Sequence, residues 1–325
     1  MNKKTLILYF IFLVLYPINI LARKHWVPMD SIILSDPYIF ADEKTKTYYM
    51  TGTGGQLWKS YDLQLWNGPY NVIKTNPNSW MGTNPIIWAA EIHKYKGKYY
   101  YFATFTNPAI KIDIVRGNII ERRACHILVS KKPDGPYVSF GNSIYLPANK
   151  PTLDGTFWID KDGKPYMVYC GEWLQNWNGT IEKIELKPDL SGTIGKGKIL
   201  FHSSDSPWSK ENSDGKITSN KVTDGPYLFK TKTGRLGIIW SSWIYDTYIQ
   251  GVAYSESGTL DGPWIQEQEP ITPPNYGHGM LFKTFEGKWM MSIHSHKVIN
   301  GKTIRIPHLF PVDLSGNTLK ILSFK

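Results

Sequence analysis

The sequence predicts an all-β fold, a five-bladed β-propeller. Three observations predict it. The apolar segments are short and rich in Tyr, Phe, Val and Ile, with almost no helical periodicity. Gly, Asp, Asn and Pro turns separate them. One unit recurs five times along the 325 residues. Its starts are spaced roughly 55 to 70 residues apart, which accommodates a four-stranded blade and variable loops each time.

The units run in order. The first opens at Asp36-Pro37-Tyr38, turns at Asp42-Glu43-Lys44 and returns through Tyr48-Tyr49-Met50. The second opens at Ala90-Glu91-Ile92 and returns through Tyr99 to Phe102. The third opens at Asp154-Gly155-Thr156 and returns through Tyr166 to Tyr169. The fourth opens at Asp224-Gly225-Pro226 and returns through Leu236 to Trp240. The fifth opens at His278-Gly279-Met280 and returns through Trp289 to His294. Outer turns repeat as well: Asp134-Gly135-Pro136 matches Asp261-Gly262-Pro263, and Asp189-Leu190-Ser191-Gly192 matches Asp313-Leu314-Ser315-Gly316.

Ahead of the first unit, Lys3 and Lys4 precede a nearly unbroken apolar stretch from Thr5 to Leu21, with Ala22 as a small residue for cleavage. This predicts a leader over residues 1–22, a propeller domain over 23–325 and a secreted or periplasmic protein. No later stretch is long and apolar enough to span a bilayer, so no membrane partner is expected once the leader is removed. The composition, 42% hydrophobic and 14% aromatic, supplies a large core and excludes a disordered chain. The net charge of +10 is scattered over turns such as Lys131-Lys132, Lys230 and Lys232, without a basic block or helix. That describes a solvated basic surface rather than a nucleic-acid interface, and a basic face also suits an acidic polysaccharide. Cys125 and Cys170 each sit in a strand-like run, so a disulfide and two buried thiols both stay open. The chain is expected to be a monomer.

The innermost strand of each blade lines the central channel. The polar residues near the unit starts, Asp36, Glu91, Asp154, Asp224 and His278, are therefore expected to converge on one axial mouth. Like charges held together raise one another's pKa, a cost associated with function. Converging carboxylates without a Ser–His pair or phosphate loop point to glycoside hydrolysis by an acid and a base, which requires no cofactor, or to a bound hard cation such as calcium. Carboxylates on different blades leave room for a water between base and sugar, which favours inversion.

Four motifs in order, Leu34-Ser35-Asp36-Pro37-Tyr38-Ile39, Trp88-Ala89-Ala90-Glu91-Ile92-His93, Leu153-Asp154-Gly155-Thr156-Phe157 and Thr223-Asp224-Gly225-Pro226-Tyr227-Leu228, carry a family resemblance. The chain resembles glycoside hydrolase family 43, the five-bladed arabinosidase, xylosidase and galactosidase family, from about Asp30 to the end. The resemblance implies a carbohydrate substrate, Asp36 as general base, and Asp154 as the aspartate that orients the acid and raises its pKa. It also implies that His278 lies on the channel axis close to a water-coordinated structural calcium. Asp224 stands where the family has the Glu of a Glu-Gly-Pro motif as general acid, one methylene shorter. Three readings stay open: Asp224 is the proton donor, Glu172 in Cys170-Gly171-Glu172-Trp173 is the donor, or the protein binds glycan without turning it over. Trp88 and Trp173 adjoin the expected pocket acids and are the candidate sugar platforms. Glu91 is expected to bind substrate or support those that do. His294 and His296, at the end of the inner strand of the fifth unit, are weaker candidates for the same mouth. The chain lacks the Arg-Asp and Glu-Cys pairs of the sucrose- and fructan-acting relatives. The sugar and the exo or endo mode depend on loops, the long ones running about Asn107–Ala124 and Ser203–Lys221.

Overall fold

Runs of β-branched and aromatic residues bounded by tight turns pair with their chain neighbours. The result is five antiparallel sheets in chain order, each from one continuous segment. The computed structural model describes residues 26–141, 145–211 and 220–324; the leader predicted over 1–22 lies outside them. The innermost strands are Tyr38–Asp42, Ile86–Tyr95, Thr152–Ile159, Asp224–Lys230 and Tyr276–Lys283. Blades III to V have four strands. Blade I gains a fifth from Trp26–Pro28, antiparallel to Leu65–Asn71, and blade II gains Ile73–Lys74, parallel to Tyr137–Ser139.

Each blade is buried on both faces, so its second strand reads as a continuous apolar run rather than an alternating one. Tyr99 and Tyr101 join Leu57 and Leu128 in the core between blades I and II. Their neighbours Tyr100 and Phe102 point the other way, to Met167 and Leu190 in the core between II and III. Trp240 and Ile181 fill the III–IV core, and Val252 and Met291 the IV–V core. The ring closes where Phe282 of blade V packs with Met50 and Trp66 of blade I. There the Leu34 N–H donates to the Arg305 carbonyl at 3.0 Å, and the Ser292 hydroxyl to the Pro37 carbonyl at 2.6 Å.

The repeated outer turns have mechanical roles. Lys59 donates to Asp134 at 2.8 Å and Lys183 to Asp261 at 3.0 Å, tying the outer turn of one blade to the third strand of the blade before it. Asp189 and Asp313 accept the backbone N–H of Ser191 and Ser315, closing Asx turns that drop Leu190 and Leu314 into the cores. Cys125 and Cys170 are both free, buried thiols. The long segment Asn107–Ala124 is not a loop but the upper part of a hairpin between Lys98–Val115 and Asn118–Ser130. Of Ser203–Lys221, a 3-10 turn at Ser203–Asp205 is described, and residues 212–219 lie outside the described residues.

Candidate active site

Four innermost strands bend just inside their start. The pairing skips between Trp88 and Glu91, Leu153 and Thr156, Asp224 and Tyr227, and Gly277 and Met280. The first residue of each bend is left-handed: Ala89, Asp154, Gly225 and His278 have φ of 43°, 55°, 46° and 54°, and Asp36, ahead of the first strand, has 58°. Such a bulge re-aims a side chain, and left-handed non-glycine residues cost about 1–2 kcal/mol each, a strain that collects at functional sites.

This register corrects the set of blade openers read from the sequence. The structural equivalents of Asp36 are Ala89, Asp154, Gly225 and His278. Asp224 stands one residue before its bend and still reaches the mouth. Glu91 stands two residues after Ala89, deeper along the channel and 2% exposed. It accepts the Thr156 hydroxyl at 2.8 Å and meets His93 Nε2 at 2.6 Å. Glu91 is not among the residues that line the mouth.

The mouth is a cavity of about 440 Å³, lined by Asp36, Asp154, Glu172, Asp224, His278, Trp88 and Trp173 together with residues from blades I, IV and V. Among the latter are Thr53, Trp243, Tyr248, His294, His296 and Arg305. Asp36 accepts the Thr53 hydroxyl and lies 3.2 Å from His278 Nδ1. The same nitrogen is 3.5 Å from Asp224, whose other oxygen accepts the Tyr248 hydroxyl at 2.6 Å. Asp154 accepts the Gly225 N–H at 3.1 Å and shares a hydrogen bond with Asp224. Glu172 is ion-paired with Arg123, which lies 4.0 Å from the centre of the Trp88 ring. Across the cavity, Tyr248 stacks on His294 and His296 at 5.6 and 4.9 Å.

The charges are unevenly held. Burial pushes the Asp36 carboxyl up, with His278 pulling against it. Burial and the neighbouring charge of Asp224 push Asp154 well above the carboxylate range. Burial also raises Asp224, but hydrogen bonds from Asp154, His278 and Tyr248 outweigh it and hold this carboxyl below its ordinary value. The site thus favours the protonated form of Asp154 and the ionised form of Asp224. Glu172 is raised by burial, against Arg123. Burial alone would lower His278, yet Asp36, Asp154 and Asp224 lift it to about 10, so it stands as an imidazolium among the acids. Burial and the His278 charge push His294 well below its usual value, and burial lowers His296 to about 4, so both are neutral.

Asp154, Asp224 and His278 each offer a ligand atom, all within 4.8 Å of one another, and could hold a cation. Calcium takes six to eight oxygens, so two carboxylates would hold it only with several waters. The His278 proton and a cation compete for the same carboxylates. The buried Nε2 of His278 has no hydrogen-bond partner among the described residues.

Sequence reasoning missed Tyr248, Arg305 and Thr53, and counted Trp243 only among several candidate aromatics. They stand on second and third strands and on a turn, where no motif marks them. Their signal is the upper hairpin of each blade, which rises around the mouth. Trp158 and Trp240 pack in or on the III–IV core, and Trp177 lies under Arg116, 3.2 Å from ring centre to guanidinium.

The family model described as Glycosyl hydrolases family 43 matches residues 28–315. An endo-arabinase structure from Bacteroides thetaiotaomicron VPI-5482 is 34% identical, with TM-score 0.76, covering 88% of this chain and 96% of that one. An endo-1,4-beta-xylanase structure from the same organism is 21% identical, with TM-score 0.69, covering 90% and 95%. An alpha-L-arabinofuranosidase structure from Lactobacillus brevis is 18% identical, with TM-score 0.67, covering 92% and 100%; at these lower identities the likeness is one of fold. No curated protein matches the chain.

Proposed function

The chain belongs to glycoside hydrolase family 43, and from that premise we propose that it is an exported hydrolase of arabinan-type polysaccharide that inverts the anomeric centre. Export rests on the apolar stretch from Thr5 to Leu21 behind Lys3 and Lys4. Arabinan rests on the 34% identity to the Bacteroides endo-arabinase, with xylan-type substrates next. The observation that carries the chemistry is the contact of Asp36 and Asp224 with one nitrogen of His278, at 3.2 and 3.5 Å, with Asp154 sharing a hydrogen bond with Asp224.

In this reading Asp36 is the general base. Thr53 and His278 orient it, and burial raises its pKa, which suits a base better than a nucleophile. The Asp154–Asp224 pair supplies the proton. Asp154 is 5% exposed, whereas the Asp224 side chain is 24% exposed and faces the cavity, so Asp224 delivers the shared proton to the leaving oxygen. Substrate binding expels water, raises the Asp224 pKa and draws the proton across from Asp154. Glu172 is the lesser candidate, because Arg123 already engages its carboxylate at the cavity wall. It binds sugar hydroxyls there beside Trp88 and Trp173.

The test is hydrolysis of arabinan by the wild type and three variants. Asp36→Asn is expected to lose about 10³-fold or more in kcat, and Asp224→Asn about 10²- to 10⁴-fold. Asp224→Asn should recover most of its rate on aryl glycosides with a good leaving group, which need no acid. Glu172→Gln should raise KM with a small change in kcat. NMR of the first product should show the inverted anomer. A dead Glu172→Gln beside a near-normal Asp224→Asn moves the donor to Glu172. Arabinan binding by the wild type without new reducing ends makes the protein a glycan-binding propeller.

A further inference from the structure

Behind the cavity wall, between the third strand of blade II and the segment leading to blade III, four side chains with orphaned polar atoms meet. Arg122 and His126 project from one face of the strand Asn118–Ser130, as even spacing requires, and are 2% and 1% exposed. His126 stacks on Tyr145 with ring centres 4.3 Å apart, and Trp80 meets His126 edge-on at 6.0 Å. The Arg122 guanidinium lies 5.5 Å from the centre of the Trp80 ring. Arg122 makes one long hydrogen bond, from Nη1 to the Pro147 carbonyl at 3.4 Å. Its Nε and Nη2, both ring nitrogens of His126, Trp80 Nε1 and the Tyr145 hydroxyl are buried without a partner among the described residues.

Native interiors leave few buried polar atoms unpaired, and a group of them in one place calls for a bound water or ion. The chemistry of the atoms narrows the choice. Guanidinium and indole N–H groups only donate, and a neutral imidazole and a phenol each have one further proton to offer. The ligand must therefore accept from every side. Burial is the one influence on the Arg122 guanidinium, so no carboxylate among the described residues compensates it, and an arginine keeps its charge even there. Water would satisfy the N–H groups but leave a bare cation in an apolar interior, which is unfavourable. A small anion accepts from all these donors with the least demand on space around side chains that are 2% and 1% exposed.

We propose that Arg122, Trp80, His126 and Tyr145 form a binding site for a small inorganic anion of chloride size. The site lies outside the catalytic cavity but shares a strand with it. Arg123, the next residue, pairs with Glu172 and lies against Trp88 on the other side. The anion neutralises the inner face of the strand whose opposite face builds the cavity wall.

Thermal unfolding of the full chain in sodium chloride, against sodium gluconate at matched ionic strength, tests the site. Chloride is expected to raise the midpoint saturably, and gluconate is not. Trp80→Phe keeps an aromatic ring but deletes the indole N–H donor, so its half-saturating chloride concentration should rise about tenfold. Crystals soaked in bromide should show an anomalous peak within hydrogen-bonding distance of Arg122 Nη2. An equal rise in both salts, an unchanged half-saturation in Trp80→Phe, or water alone at that position in the bromide crystals overturns the proposal.

Discussion

At Asp224 one carboxylate meets three partners: the Tyr248 hydroxyl, the His278 imidazolium and the protonated Asp154. The side chain is a methylene shorter than the Glu expected there, and it reaches the mouth because the strand bends immediately after it. The Tyr248 bond favours the ionised form of Asp224, so its loss raises the pKa of the donor. Tyr248→Phe keeps the stack on His294 and His296 and removes only the hydroxyl. The alkaline limb of kcat/KM, which reports the acid, should then move to higher pH by roughly one unit. A pH–rate profile of the variant beside the wild type checks this; an unmoved limb would exclude Asp224 as the group that titrates there. Asp36, Asp154, Asp224 and His278 were readable as mouth residues because they stand at the starts of repeated units. Tyr248 and Arg305 were not, since a side chain reaching in from an outer strand leaves no mark in the local pattern.

The innermost strands do the positioning. Each places a mouth-lining side chain (Asp36, Trp88, Asp154, Asp224 or His278) at or beside a left-handed residue, and the bend rather than the first polar residue sets the equivalence between blades. Reading polar residues as the openers therefore included Glu91, which lies two residues past Ala89, beside His93 and Thr156. Gly225 shows how tightly the bends fit. A Cβ there would come within 2.6 Å of the His278 ring, which is 2% exposed and has nowhere to turn. Gly225→Ala should cost about 2 kcal/mol of stability, and about 10² in kcat as His278 is pushed off Asp36 and Asp224. Denaturant unfolding and steady-state kinetics of one preparation measure both. A stable variant with normal kcat would show that the site does not depend on this bend.

Across the whole molecule the site straddles the seam that closes the ring. Asp36 belongs to blade I, while His278, His294 and Arg305 belong to blade V, and the seam is held by a hydrophobic layer around Phe282, Met50 and Trp66. Phe282→Ala should destabilise the protein by about 3–4 kcal/mol and lower kcat together with it, because an opened seam separates Asp36 from the His278 imidazolium. The control is Phe229→Ala, a comparable loss in the IV–V core, which should cost similar stability and less activity. Equal activity losses in the two variants would mean that closure does not hold the base in place.

The all-β class, the five units and the mouth residues Asp36, Asp154, Asp224 and His278 follow from the sequence by itself. A blade buried on both faces must be written as short apolar strands between turns, and repetition marks its starts. Which polar residues share a rung, and which face the mouth, was decided by the tertiary structure. One extra residue in a bulge shifts the register of everything after it, and side chains from outer strands come together only when the ring closes. The pairing of Asp154 with Asp224 is of the second kind, since it exists only where two blades meet.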